Sequence, residues 1–216
     1  MATRCLVALF CGVLAAAYGQ SRKPKTTKSG PVIVQPGAPG KPSRAVSAAE
    51  AEKPKQAPIE ADIVFMQGMI HHHAQAVEMV DLLRTRGLRK DLQAFGERIT
   101  ISQSDEILFM KLWLAQYGKP AMAPHDHANH KAMPLMPGML TAEQMTALAK
   151  ANGDEFDRLF LTGMIQHHIG ALDMVDDLFG TPGAGQEPAL YDFAVDIDNT
   201  QRAEIELMRK MLKETK

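Results

Sequence analysis

Two stretches, FMQGMIHHHAQAVEMVDLL (Phe65–Leu83) and FLTGMIQHHIGALDMVDDL (Phe160–Leu178), align without a gap, and their reading decides the fold. Apolar residues recur in both at helical spacing. With Met69 as origin and about 100° per residue, Phe65, Met66, Met69, His72, His73, Ala76, Met79, Val80 and Leu83 share an arc of about 140°. Asp62 joins that arc near the helix start, whereas His71 and Glu78 point away. The second copy keeps His167 and His168 at the places of His72 and His73, but has Gln166 at the place of His71. The pair therefore reads as inward-facing and His71 as solvent-facing.

A second segment follows each copy: LQAFGERITISQSDEILFMKLWL from Leu92 and LYDFAVDIDNTQRAEIELMRKML from Leu190. Their shared positions include Phe95 with Phe193, Ile99 with Ile197, Gln103 with Gln201, Glu106 with Glu204 and Met110 with Met208. The breaks at Arg86-Gly87 and GTPGAGQEP stop the preceding helices, and short breaks make neighbouring helices antiparallel. The expected fold is all-α: a four-helix bundle of two repeated hairpins. Thr141-Ala-Glu-Gln is a capping-box start for a short extra helix ending near Asn152-Gly153. No segment shows convincing strand alternation.

Outward from this domain, Arg4 and the uncharged apolar run Cys5–Ala17 precede small residues at cleavage positions, as in a secretory signal over residues 1–19. The run is short for a membrane span; an uncleaved anchor is the alternative. Phe10 before Cys11 speaks against lipoprotein processing. Cleavage would remove both cysteines, so a soft metal would have to be held by thioether and imidazole. Residues 20–58 are rich in Pro, Lys, Gly, Ser and Ala and read as a flexible tether, leaving 59–216 as the bundle domain. The balance of 24 basic and 25 acidic residues offers no footprint for nucleic acid or an anionic membrane.

A lone inward histidine is more often a satisfied core residue than a ligand, and methionine on a helical stripe ordinarily fills space. Here His-His and two Met recur at the same offsets, and all fourteen methionines except Met1 lie between Met66 and Met211. Measured from the turn, Gln103 and Glu106 stand level with Met69–His73, as do Gln201 and Glu204 with His167 and His168. A carboxylate there could orient a metal-binding imidazole through its second nitrogen. Between the hairpins, His125, His127 and His130 run into Met133, Met136 and Met139. This cluster suits transient copper capture, though a solvated loop is the plain alternative.

The two FxxGMIxHH segments, their trailing AxxMV, and MPGMLTAEQM followed by GDEFDRLFL resemble domain-of-unknown-function family 305 over about Ile59 to Lys213. The resemblance implies an exported, ferritin-like bundle, some members of which bind copper or silver in the periplasm. By position it implies the ligands Met69, His72, His73 and Met79, with Met164, His167, His168 and Met174. His71 and the His125–His130 cluster are features of this sequence. The expectation is a non-catalytic carrier or store of Cu(I), or of Ag(I), exported to the periplasm or secreted, meeting a copper donor or acceptor protein. Asp62, Glu106, Asp157 and Glu204 with the His pairs would instead suit an Fe or Mn carboxylate oxidase, but the Glu-x-x-His motif of such sites is missing. A metal-free module whose methionines grip a partner is the third reading.

Overall fold

The computed structural model describes residues 33–35, 42–47, 57–122 and 135–215. The expected signal segment, most of the tether, and His125, His127, His130 and Met133 lie outside the described residues. The chain divides into two units between Ala51 and Glu52.

Within the segment read as a tether, the first unit holds one short pair of strands. β1 (Ile33–Gln35) and β2 (Arg44–Val46) pair antiparallel, with Ile33 opposite Val46 and Gln35 opposite Arg44. The sequence VIV at 32–34 supplies three β-branched residues, which suit a pleated backbone. Three-residue strands are too short to display an alternation.

The second unit is all-α. It contains α1 (Glu60–Arg86), α2 (Lys90–Gln116), α3 (Ala142–Lys150), α4 (Gly153–Gly180) and α5 (Pro188–Glu214). No helix among the described residues is long and apolar enough to cross a membrane. Local chemistry sets the helix ends. Thr141 and Gln144 cap α3 reciprocally, Thr141 N donating to Gln144 Oε1 at 2.8 Å and Gln144 N to Thr141 Oγ1 at 3.2 Å. α5 begins with Pro188, and Glu187 accepts from Leu190 N at 2.9 Å. Gly87, which ends α1, has a φ of −77°, so it is not a left-handed cap. A Cβ there would meet Leu83 Cδ1 at 2.5 Å and Asp157 Oδ1 at 2.9 Å, so both side chains would have to shift to admit one.

α1 packs on α2, α4 packs on α5, and α1 and α4 pack on each other. The last pair is antiparallel, because a Cβ at Gly68 would touch the Met174 methyl at 3.4 Å and one at Gly163 the Met79 methyl at 3.3 Å. Its crossing lies at His72 and His167, whose rings are 3.7 Å apart between centroids. Two apolar clusters flank the crossing. One gathers Met79, Val80, Leu83, Phe95, Phe156, Phe160, Met164 and Met208; the other gathers Phe65, Met66, Met69, Met110, Trp113, Met174, Val175 and Ile197.

The ends of this pair are latched across hairpins. Asp62 in α1 accepts from Ile59 N at 2.9 Å and from Gly185 N, in the turn of the other hairpin, at 2.8 Å. Its counterpart Asp157 in α4 accepts from Arg89 N, in the first hairpin's turn, at 3.2 Å. These two aspartates, read from the sequence as groups supporting the ligands or as ligands of the carboxylate-oxidase alternative, hold turns and do not join the His layer. Asp62 lies ten residues, about 15 Å of helix, from His72. Asp62→Ala is expected to cost about 3 kcal/mol, since it strands two backbone donors of a charge-assisted clasp. Urea unfolding checks this, and a loss below about 1 kcal/mol would show the latch to be idle.

Candidate metal-binding layer

The FxxGMIxHH repeat gives each inner helix two consecutive histidines, and helical phase turns both toward the crossing. His72, His73, His167 and His168 are all fully buried, whereas His71 is half-exposed and Glu78 exposed. The rings of each consecutive pair stand 6.3 Å apart at 54°, with the same values in both hairpins.

One nitrogen of each ring is occupied. His73 Nε2 and Glu106 Oε2 are 2.5 Å apart, and His168 Nε2 and Glu204 Oε2 are 2.7 Å apart. Ser102 also donates to Glu106, at 2.8 Å. The two carboxylates lie at the edge of the layer, with side chains 22% and 17% exposed. Burial pushes the Glu106 carboxyl up, but the hydrogen bonds from His73 and Ser102 outweigh it and hold the group below the usual range. His72 Nε2 donates to Pro137 O at 3.0 Å and His167 Nε2 to His72 O at 2.9 Å; a carbonyl can only accept, so both protons sit on Nε2.

The other nitrogens face nothing that could satisfy them. Nδ1 of His72, His73, His167 and His168 is buried without a hydrogen-bond partner, as are Gln103 Oε1 and both polar atoms of the Gln201 amide. Burial and the neighbouring His73 lower the His72 pKa to about 3, and burial beside His72 drives His167 well below the ordinary value. Both rings are therefore neutral at pH 7, each with a bare electron pair on Nδ1. Leaving buried acceptors unpaired is costly, and the Nδ1 lone pairs of the neutral His72 and His167 rings, 3.7 Å apart between centroids, are candidates for a cation. Fixing Nε2 by a carboxylate or carbonyl is how metal-binding histidines are held.

The sulfurs sort differently from the repeats. Met69 and Met79 of one repeat lie in different apolar clusters, as do Met164 and Met174 of the other. Met69 keeps company with Met174, Met66 and Met110; Met79 with Met164 and Met208. The eight implied ligands thus form a central histidine layer with thioethers from both repeats on either side. Among the described residues no three His, Cys, Asp or Glu side chains converge to hold a metal by themselves.

The central connection was expected to carry mobile ligands. Its described end instead lies as a strap, Met136–Leu140, over the inner helices. Gln75 brackets Leu140, donating to its O at 2.9 Å and accepting from its N at 2.7 Å. Gln166 donates to Gly138 O at 3.2 Å. Gly138, with a φ of +72°, passes so close to Gly170 that a Cβ at Gly170 would collide with the Pro137 carbonyl. Met139 is buried and Met136 half-buried. The sequence reading missed Gln75, Gln166 and the Pro137 carbonyl. The hint was Gln166 itself, where the other repeat has His71.

Fold and layer together define an all-α protein of paired hairpins with a buried His–Met core. The family described as Domain of unknown function (DUF305) matches residues 62–212, and the chain belongs to it. Among solved structures, a DUF305 protein from Streptomyces coelicolor is 28% identical, with a TM-score of 0.62 over 72% of this chain and 93% of that one. A DUF305 fragment from Deinococcus radiodurans is 27% identical at a TM-score of 0.62, over 73% and 99%. CopM in the Cu(I)-bound form is 28% identical at 0.56, over 71% and 96%. CopM is also known in Cu(II)-bound and Ag-bound forms. No curated protein matches the chain.

Proposed function

We propose that this protein is an exported, non-catalytic carrier or store of a soft monovalent metal ion, Cu(I) first and Ag(I) second, built on a ferritin-like four-helix bundle. One observation carries the reading: four buried imidazole Nδ1 atoms without partners, between two methionine-bearing clusters. Neutral imidazole and thioether add no charge to a dry core, which suits a monovalent soft ion. Relatives named for bound copper and silver support the same ion class. Export is supported by the signal-like Cys5–Ala17 run and by the absence of cysteine from the rest of the chain. His72, His73, His167 and His168 would supply nitrogen, and Met69, Met79, Met164 and Met174 sulfur. Glu106 and Glu204 would orient the rings that they bond.

The test is an anaerobic Cu(I) competition titration. His73→Ala is expected to weaken binding by about tenfold or more, and His71→Ala by less than about twofold. Equal losses in the two variants would remove the layer from the account. Tight Fe(II) or Mn(II) binding with oxygen consumption, and none of Cu(I), would favour a carboxylate oxidase instead.

A further inference from the structure

The notches at Gly68 and Gly163 are equivalent by repeat, and each is lined by the other repeat's methionine, Met174 or Met79. The strap that closes them is single, and it closes them unequally. A Cβ at Gly163 would meet Leu140 Cδ2 at 3.0 Å, and Leu140 is buried. A Cβ at Gly68 would meet Met136 Sδ at 3.1 Å, and Met136 is half-buried.

Met136 and Met174, the two side chains nearest the Gly68 notch, also line a cleft of 280 Å³ together with Phe65, Pro137 and Asp177, among others. Asp177 is exposed, and the equivalent residue of the other repeat is Leu82, which packs against the apolar core. Both differences between the repeats point the same way. One notch is covered by the aliphatic side chain of Leu140. The other has a carboxylate at its rim, which attracts cations, and two thioethers beneath it. Pro137 lines this cleft and its carbonyl holds His72 Nε2, so the cleft and the histidine layer share a wall.

We propose that the cleft over Gly68 is the loading port for the metal. A soft monovalent ion is taken first by the thioethers of Met136 and Met174 and then transferred past Pro137 to the histidine layer, while the Gly163 notch stays closed. The transfer is ligand exchange: a metal–sulfur bond breaks as a metal–nitrogen bond forms, with no electron transferred. This inference rests on the soft-metal reading of the layer.

The experiment is stopped-flow loading with Ag(I), which avoids redox change, of the full chain carrying Cys5→Ser and Cys11→Ser so that no thiol competes, followed through the single tryptophan, Trp113, a member of the same apolar cluster as Met174. Met136→Leu copies the Leu140 side and conserves volume. It is expected to slow both loading and release by about tenfold, as a barrier raised between unchanged end states requires. Equilibrium affinity and stoichiometry should stay within about threefold of the parent. Loading of Met136→Leu at the parental rate overturns the port. A lost equivalent of Ag(I) at an unchanged rate also overturns it, because Met136 would then be a permanent ligand. If the parent protein itself takes up no Ag(I), the soft-metal reading fails first and the port with it.

Discussion

Replacing Met69, Met79, Met164 and Met174 together by leucine is expected to lower Cu(I) and Ag(I) affinity by about a hundredfold or more while leaving the helical fold intact. All four are buried, and each swap keeps side-chain volume, at a usual cost below about 1.5 kcal/mol. Among the described residues the His, Asp and Glu groups do not converge on their own, so on the proposed function the thioethers would complete the site. Glu106→Gln with Glu204→Gln should have a smaller effect, because these carboxylates act on His73 and His168 through their Nε2 atoms. Circular dichroism checks the fold and competition titration the affinity. A leucine variant that binds normally beside a glutamine variant that does not would transfer the chemistry to the carboxylates.

Acid is the second large lever. Metal-free protein is expected to lose several kcal/mol of stability between about pH 6.5 and pH 3. His72 takes up its proton near 6.5 when unfolded but only at about 3 when folded, so the unfolded state binds more protons throughout that window. The stability is complete above the unfolded value and is lost as the pH falls toward the folded one, at about 1.4 kcal/mol per unit for one group. His167 works in the same direction, because its pKa is also depressed by burial. Glu106, whose pKa is lowered, adds to the loss at the acid end. Asp157, raised by burial, opposes it. Urea unfolding across this range measures the slope, and a flat profile would show that these rings are hydrated rather than buried.

The hairpins were legible because the repeat states helical phase twice. His72 and His73 could be separated from His71 by angle alone, and the change of His71 to Gln166 marked the same face. Glu106 and Glu204 could be set beside their histidines by counting from the turns. What could not be read was how the two repeats meet. Met69 and Met79 share one stripe, yet an antiparallel crossing at His72 sends them to opposite sides of the layer. Asp62 lies on the inward arc as well, but its burial serves Gly185, 123 residues away. A strap held by backbone carbonyls leaves little trace in side-chain identity beyond Gly138 and the two glutamines that bind it. The β1–β2 pair escaped for the opposite reason, since its strands carry too few residues to form a pattern.

The cross-hairpin latch has a consequence for folding. Each hairpin closes over a turn of a few residues, so its contacts form early and locally. The His167–His72 bond spans 95 residues, and the two aspartate bridges join turns to opposite helices. Association of the hairpins is therefore expected to be the slow, non-local step, seen as a separate phase in stopped-flow refolding, and the histidine layer forms only with it. An ion bound in that layer would stabilise the associated state over both separated hairpins, by about 2.7 kcal/mol when the free ion stands at a hundred times its Kd. On the proposed function, metal supply would then set the lifetime of the whole chain: loaded molecules would open less often, and proteases would clear the empty ones first.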